Sequence, residues 1–296
     1  MSARRLGIRG WQRLDGFYPP RTKPADMLAH YAEVFDVVEA ENTFSGIPKP
    51  ERLADWVRQS PDGFKFAVVA FGGLTLYQRR PGNAYLKARL SWTEIAVEPP
   101  DVLFEDFRAS VAPLLDADRL GCVLLQFPPW FQAGEASDEY LAKLRRNLAD
   151  LPLAVEFRHP TWELPGQRDA TQELLIDLGM GLIVADFPAD DPDWVPPIVA
   201  ATRDDLAVVR LHGHNDAAWG HTHTSPVEPV QYTYTDDDLA PWIERVRALE
   251  REVPQVHVLI GTAPLAAALD AAHRLDAAIQ VAEEAEARWG YVPEQS

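Results

Sequence analysis

Two short stretches, Leu153-Ala-Val-Glu-Phe-Arg158 and Ala207-Val-Val-Arg-Leu-His212, decide how this sequence folds. Each is an apolar run in which polar residues recur at every second position near the carboxyl end. Successive side chains of a strand point to opposite faces, so Glu156 and Arg158 share one face and the apolar residues beside them share the other. This pattern is typical of parallel barrel strands that pack on helices outside and carry polar groups at one end.

The same alternation of short apolar strands and amphipathic helical stretches runs along the whole chain. It predicts eight strands, at Arg5–Gly10, Phe35–Ala40, Phe64–Ala70, Cys122–Gln126, Leu153–Phe157, Leu182–Ala185, Ala207–Leu211 and Gln255–Ile260. Helical patterns lie between and after them, at Pro24–Val34, Glu51–Gln59, Phe104–Leu115, Asp138–Leu148, Ala170–Leu178, Asp236–Glu250 and Pro264–Ala285. Alternation of this kind indicates βαβ units. A helix after the eighth strand favours a closed barrel, so we predict an α/β fold with a single (β/α)8 TIM-like barrel domain over residues 1–296.

Length and composition agree with this class. The chain has 296 residues, of which 47% are hydrophobic and 25% are charged, and barrels of this type commonly need about 250 residues. No apolar run approaches the roughly 18 residues of a membrane-spanning helix. The opening MSARRLGIRGW reads as a strand and not as a signal peptide. We therefore expect a soluble, cytoplasmic protein without a membrane partner.

The formal net charge of −17 bears on possible partners. A surface this acidic repels phosphate backbones, so bulk nucleic-acid binding is disfavoured, although a local basic pocket could still hold one small anion. The single cysteine, Cys122, lies within an apolar run and is expected to be buried and inert. No phosphate-loop, dinucleotide, nucleophile-elbow or CxxC motif occurs, so nucleotide binding, dinucleotide binding, a hydrolase elbow and a zinc ribbon have no support, and the cofactor stays unknown.

Strand parity selects a set of polar residues that should meet at the carboxyl ends of the strands, where barrel enzymes place their sites. The candidate catalytic residues are Glu39, Glu156, Asp186 and His212. The candidate ligand-binding residues are Arg9, Trp11, Gln126, Arg158, His159, Trp162 and Arg210. Among the tryptophans that follow strand ends, Trp162 is the best candidate to line a pocket, and Trp130, Trp194 and Trp219 are placed similarly.

Three interpretations of this set stay open. Paired guanidiniums suit a carboxylate or phosphate, and glutamate or histidine can move protons, so the leading hypothesis is a hydrolase or related transferase acting on a small anionic substrate. Arg158 and Arg210 would anchor the anion, with Glu156 or His212 as general acid or base. A metal-dependent enzyme is an alternative, because His212-Gly-His214 and His221-Thr-His223 supply paired imidazoles. Arginine and glutamate at a barrel mouth also form purely structural ion pairs.

Several motifs together resemble one known family. They are Gly7-Ile-Arg-Gly-Trp11, Phe17-Tyr-Pro19, Phe35-Asp-Val-Val-Glu39, Asn42-Thr-Phe44, Pro61-Asp-Gly-Phe-Lys-Phe-Ala-Val68, Leu125-Gln-Phe-Pro-Pro129, Ala154-Val-Glu-Phe-Arg-His-Pro-Thr-Trp162, Val209-Arg-Leu-His-Gly213 and Tyr232-Thr-Tyr-Thr235. In this order they resemble the DUF72 (YecE-like) family, and the Glu-Phe-Arg-His-Pro-x-Trp stretch is the most specific of them. The resemblance implies a barrel fold without implying a reaction. The polar positions typical of the family fall at Glu39, Gln126, Glu156, Arg158, His159, Arg210 and His212.

The sequence departs from the family pattern at three places. Val69 stands where the family usually has a lysine, Ser45 stands where it has a tyrosine, and the eighth strand ends at Gly261 where it has an aromatic residue followed by asparagines. These changes remove candidate acid–base and anion-orienting groups. They support an alternative to the enzyme hypothesis, in which the barrel binds a small ligand and has lost the ancestral activity.

Overall fold

The protein is described here as a computed structural model that covers residues 3–12, 14, 16–77, 99–186, 197–214 and 231–289. Eight parallel strands form one sheet in the order β1-β8-β7-β6-β5-β4-β3-β2. The strands are β1 (Ala3–Ile8), β2 (Val37–Ala40), β3 (Lys65–Val69), β4 (Leu120–Gln126), β5 (Leu153–Glu156), β6 (Gly181–Ala185), β7 (Ala207–Leu211) and β8 (Gln255–Ile260). Each overlaps one of the strands expected from the sequence. The predicted (β/α)8 barrel is confirmed.

Helices connect most of these strands. They are α1 (Met27–Tyr31), α2 (Pro50–Gln59), α3 (Val102–Asp116), α4 (Glu135–Asn147), α5 (Arg168–Asp177), α6 (Asp236–Glu252) and α7 (Leu265–Trp289). Short 3-10 turns follow β2 at Glu41–Ser45, β3 at Gly72–Thr75 and β5 at Pro160–Trp162. The described residues between β6 and β7 contain no helix. No helix in the described part of the chain is both long and apolar enough to cross a lipid bilayer.

The seam between β1 and β2 closes the barrel near the candidate site. A parallel bridge joins Arg9 to Glu39, and the Gly10 N–H donates to the Glu39 carbonyl at 2.9 Å. Below this bridge the Tyr31 hydroxyl accepts from the Ile8 N–H at 2.9 Å and donates to the Val37 carbonyl at 3.0 Å. The two strands are therefore held together by this bridge and by the Tyr31 phenol, and the seam keeps the carboxyl ends of β1 and β2 side by side.

Glycine is required at one position of this seam. A methyl group added at Gly7 would lie 2.0 Å from the Val37 carbonyl oxygen, which is far inside van der Waals contact. Only a residue without a side chain lets β1 approach β2 this closely. The glycine of the Gly-Ile-Arg-Gly-Trp stretch thus serves barrel closure.

Two layers of buried side chains follow the alternation of the strands. The outer layer packs between the sheet and the helices and includes Leu153, Val155 and Phe157 of the opening stretch. The inner layer fills the barrel with smaller apolar residues, among them Ala67, Cys122, Leu124, Ala154 and Val208. Because the inner layer is apolar and filled, polar side chains of the same parity are confined to the two ends of the barrel.

Candidate functional site

Arg210, near the end of β7, is the centre of a buried polar network at the carboxyl end of the barrel. Its Nε and Nη2 donate to the two carboxylate oxygens of Glu39 at 3.1 and 2.7 Å. Its Nη1 donates to the Gln126 side-chain oxygen at 3.3 Å and to Glu156. Four of the five N–H groups that an arginine carries are therefore engaged inside the protein. Strands β2, β4, β5 and β7 converge on this one guanidinium.

Both carboxylates of the network are ionised although they are almost fully buried. Burial alone would raise the pKa of the Glu156 carboxyl, but the charges of Arg210, His212 and Arg158 bring that pKa well below its ordinary value. For Glu39, burial is likewise outweighed by Arg210 and Arg9, and its pKa is lowered. Burial would lower the pKa of Arg210, but Glu156 and Glu39 raise it. The network thus holds the side chains of Glu39, Glu156 and Arg210 in their ionised forms inside the protein.

His212 contacts Glu156 through Nε2, which lies 3.0 Å from a carboxylate oxygen. An ionised carboxylate only accepts hydrogen bonds, so the neutral ring carries its proton on Nε2 and a lone pair on Nδ1. Burial lowers the pKa of the imidazole, and Arg210 lowers it further, while Glu156 opposes both. The ring is consequently neutral near pH 7, with its basic nitrogen on the side away from Glu156.

The Nδ1 side of His212 faces the end of β8, where Gly261 has no side chain. A methyl group at Gly261 would lie 3.6 Å from His212 Nδ1 and 3.8 Å from Arg9 Cδ, both ordinary contact distances. The absence of a side chain at Gly261 therefore leaves room for a group about the size of a methyl between the imidazole nitrogen and the aliphatic part of the Arg9 side chain.

Arg158 and Arg9 extend the positive charge from the network toward its edge. Arg158 Nε donates to Glu156 at 2.7 Å, and its side chain is 13% exposed, compared with 3% for Arg210. Burial lowers the pKa of Arg9, Glu39 and Glu41 oppose that effect, and the charges of Arg210 and Arg158 add to it. Three guanidiniums are therefore near enough to repel one another, in a cluster that also holds the carboxyl groups of Glu39, Glu41 and Glu156.

Asp186, after β6, holds the backbone that follows β7. Its carboxylate accepts from the N–H groups of His212 and Gly213, the second at 3.2 Å, and from the Tyr234 hydroxyl. His214 Nε2 lies 3.3 Å from the same carboxylate. Asp186 thus reaches the network through the main chain of His212 and positions that residue. Tyr234, 1% exposed, was not selected from the sequence, although it belongs to a stretch that matched the family pattern.

Two tryptophans lie elsewhere than expected. Trp162 is fully buried, stacks on Phe157 with ring centroids 3.9 Å apart, and donates its indole N–H to the Phe131 carbonyl at 2.7 Å. Trp11 is 4% exposed and packs edge-on against Trp56. Both belong to the layer between the sheet and the helices. The chain turns outward after β1 and after β5, so the alternation of side-chain faces no longer applies there. The expectation that they line the pocket is corrected.

His159 lies in the loop between β5 and the 3-10 turn at Pro160–Trp162. Its Nδ1 accepts from the Thr161 backbone N–H at 3.2 Å, and the imidazole caps the 3-10 turn that follows β5. The contact directs the chain from Arg158 back toward the helices. This ring nitrogen therefore shapes the loop that carries Arg158.

The remaining candidates of the sequence analysis are placed as follows. Burial raises the pKa of Cys122 to about 12, so its thiol is not poised for chemistry. Among the residues that the structure describes, no three histidine, cysteine, aspartate or glutamate side chains are grouped as metal ligands. Trp194, Trp219, His221 and His223 lie outside the described residues.

Known proteins similar to this chain were found in three comparisons. The family model described as "Protein of unknown function DUF72" matches residues 5–294. The UPF0759 protein YunF of Bacillus subtilis is 30% identical over 258 residues, which are 86% of each chain. The UPF0759 protein YecE of Escherichia coli K12 is 30% identical over 148 residues, 49% of this chain and 46% of that protein.

Solved structures of two DUF72 proteins share the fold. One from Enterococcus faecalis superposes with a TM-score of 0.77 at 24% identity, covering 95% of this chain and 98% of its own. Another from Thermotoga maritima gives a TM-score of 0.74 at 28% identity, covering 94% and 99%. Because the family model spans nearly the whole sequence and the fold agrees, the chain belongs to the DUF72 family.

Proposed function

We propose that this protein is a hydrolase that acts on a small anionic substrate, with a phosphoester as the leading class. One observation carries the proposal: a neutral imidazole, His212, is bonded through Nε2 to an ionised, fully buried carboxylate and turns its basic nitrogen toward the space beside Gly261 and Arg9. A base oriented by a carboxylate is the arrangement that activates a nucleophile in many hydrolytic sites.

The proposed roles follow from the contacts. His212 Nδ1 takes a proton from a water molecule as the water oxygen attacks the substrate, and Glu156 stabilises the imidazolium that forms. The leaving-group oxygen departs on the opposite side of the phosphorus and takes its proton from solvent water, and the imidazolium then returns its own proton to solvent. Arg158 and Arg9 bind the anionic group. Arg210 keeps Glu156 and Glu39 ionised and in place, since most of its donors are occupied by these carboxylates and Gln126.

A purely structural network explains only part of this arrangement. The Arg210 pairs alone compensate the two buried glutamates, and such pairs are no evidence of function. They give no reason for placing an imidazole on the outer side of Glu156, or for adding further guanidiniums. Both features are expected if charge develops near Gly261 during a reaction.

The test uses p-nitrophenyl phosphate and bis-p-nitrophenyl phosphate as probes with purified wild-type protein. We expect turnover of at least one probe, and we expect His212→Gln to lower kcat by about 10²- to 10⁴-fold, the usual contribution of general acid–base catalysis. Glu156→Gln should lower kcat and shift the acid limb of the pH–rate profile, because the imidazolium loses its counter-charge. His30→Gln is the matched control, since His30 pairs with Glu33 on the surface at 3.6 Å.

Three results would decide against the proposal. Turnover that survives His212→Gln would exclude the imidazole as the base. Thermal stabilisation by inorganic phosphate without any turnover, lost in Arg158→Gln, would instead identify a ligand-binding barrel without catalysis. Turnover that requires an added divalent metal and disappears with a chelator would support the metal-dependent alternative.

A further inference from the structure

Three aromatic side chains form a wall along one side of the polar network. They come from consecutive strand ends: Phe44 follows β2, Tyr77 follows β3 and Trp130 follows β4. The rings of Phe44 and Tyr77 are 5.1 Å apart and edge-on, and those of Tyr77 and Trp130 are 5.7 Å apart and similarly tilted. We call these three residues the aromatic wall. Phe44 and Tyr77 are buried, and Trp130 at the end of the wall is partly exposed.

Tyr77 connects the aromatic wall to the charged groups. Its hydroxyl donates to the Phe127 carbonyl at 3.3 Å, and its side chain also hydrogen-bonds Gln126, which accepts from Arg210. Burial raises the pKa of the phenol, whereas the charge of Arg158 lowers it, so the arginine lies near the ring. At the carboxyl end of the barrel, the aromatic residues that follow β2, β3 and β4 therefore lie beside the polar network formed by β1, β2, β4, β5 and β7.

Trp130 lies at the exposed end of the aromatic wall. Its indole nitrogen is buried and has no hydrogen-bond partner within the described part of the chain. By contrast, the Trp162 nitrogen donates to the Phe131 carbonyl. Buried indole N–H groups usually find a partner, and leaving one unpaired is unfavourable. An acceptor on a bound ligand would satisfy it.

From this juxtaposition we propose that the aromatic wall is the specificity subsite of the pocket, and that it takes a planar ring attached to the anionic group. The inference rests on the proposed function for the anion itself. Arg158 contacts the phosphate or carboxylate, the ring packs on Trp130, and a ring acceptor or linking oxygen takes the indole N–H. Aromatic contacts favour offset or edge-on packing of this kind. The substrate class is thus an aryl phosphate or an aryl carboxylate, in preference to an aliphatic one.

The test compares the affinities of phenylphosphonate, cyclohexylphosphonate and inorganic phosphate by calorimetric titration, since the P–C bond of a phosphonate is not hydrolysed during the measurement. We expect wild-type protein to bind phenylphosphonate about three- to tenfold more tightly than inorganic phosphate, the range given by one aromatic contact. Cyclohexylphosphonate should bind less tightly than phenylphosphonate, since it has no π-face. Trp130→Ala and Trp130→Leu should abolish the preference for phenylphosphonate and leave the affinity for inorganic phosphate within twofold. Trp130→Phe should retain part of the preference.

The outcomes separate this inference from the proposed function. Equal binding of phenylphosphonate and inorganic phosphate by wild-type protein, or an unchanged preference in Trp130→Ala, overturns the aromatic subsite and leaves the anion site intact. If Arg158→Gln leaves both affinities unchanged, the anion site itself is refuted. If no probe binds, both proposals fail together. Far-UV circular dichroism and the melting temperature of each variant establish that it is folded.

Discussion

His257 gives the sharpest prediction about the stability of this barrel. It lies on the inner face of β8 at the amino-terminal end, it is fully buried, and neither ring nitrogen has a hydrogen-bond partner among the described residues. A methyl group at Gly121 would lie 2.8 Å from its Cε1, so the ring is closely packed. Burial, together with the charges of Arg5 and Lys65, lowers the pKa of His257 to about 3.

The magnitude follows from proton linkage. The ordinary pKa of 6.5 applies to the unfolded chain, so between pH 6.5 and about 3 the unfolded state binds a proton that the folded state does not. The free energy of unfolding should therefore fall as the pH is lowered through this window. At about 1.4 kcal/mol per pH unit, this residue alone accounts for a loss of about 2 kcal/mol between pH 7 and pH 5.

The perturbation is His257→Leu, which removes the titrating group and keeps an apolar side chain inside the barrel. Urea unfolding of wild type and variant at pH 7, 6, 5 and 4.5 isolates the residue, because all other acid-sensitive groups cancel in the difference. We expect the variant to gain about 2 kcal/mol relative to wild type from pH 7 to pH 5. Leu259→Val, on the same inner face, is the control and should shift stability equally at every pH.

A constant difference between wild type and His257→Leu over this pH range would refute the reasoning. It would mean that the folded protein accommodates the imidazolium at no penalty, and hence that the ring has an unrecognised acceptor. A difference that grows in the opposite direction would mean that the folded state binds the proton more tightly than the unfolded chain.

Two further predictions test the network and the seam. Arg210→Met leaves Glu39 and Glu156 buried without a counter-charge and should lower the free energy of unfolding by about 3–5 kcal/mol at pH 7. In urea titrations the loss should shrink as the pH falls, because protonation removes the uncompensated charges; a pH-independent loss would indicate simple cavity formation. Gly7→Ala brings a methyl group 2.0 Å from the Val37 carbonyl oxygen. We expect it to lower the free energy of unfolding by about 1–3 kcal/mol, which a lower melting temperature would show. Gly166→Ala is the control, because a methyl group added there meets no described atom within 4 Å, and it should change the melting temperature little. Equal effects of the two substitutions would contradict the proposed role of the seam.

The barrel was predictable because its signal is local and repeated. Most strands are short apolar runs followed by a helical pattern. The alternation of apolar and polar residues within Leu153–Glu156 and Ala207–Leu211 predicts which side chains face inward. Parity needs no tertiary information as long as the chain stays extended. It therefore placed Glu39, Gln126 and Glu156 correctly at the carboxyl ends of their strands.

Prediction failed where the chain leaves the strands. Trp162 follows β5 by only a few residues, but the 3-10 turn at Pro160–Trp162 directs it outward onto Phe157. Tyr77 lies far beyond the last residue of β3 and returns to the network only after the turn at Gly72–Thr75. Periodicity says nothing about the direction of a loop, so neither position follows from the sequence pattern.

The sequence by itself determined the order of strands and helices along the chain and the inward set of polar residues, since these depend on spacing. It also indicated the family, through motifs such as Ala154-Val-Glu-Phe-Arg-His-Pro-Thr-Trp162. Only the tertiary structure decided which charges compensate one another. Arg210 was expected to bind a ligand, but strands far apart in sequence bring Glu39 and Glu156 to its donors. The ionised Glu156 in turn accepts from His212 Nε2, so the Nδ1 side of that ring faces Gly261. Pairing in a low-dielectric interior depends on distances of a few ångströms, which no one-dimensional pattern encodes.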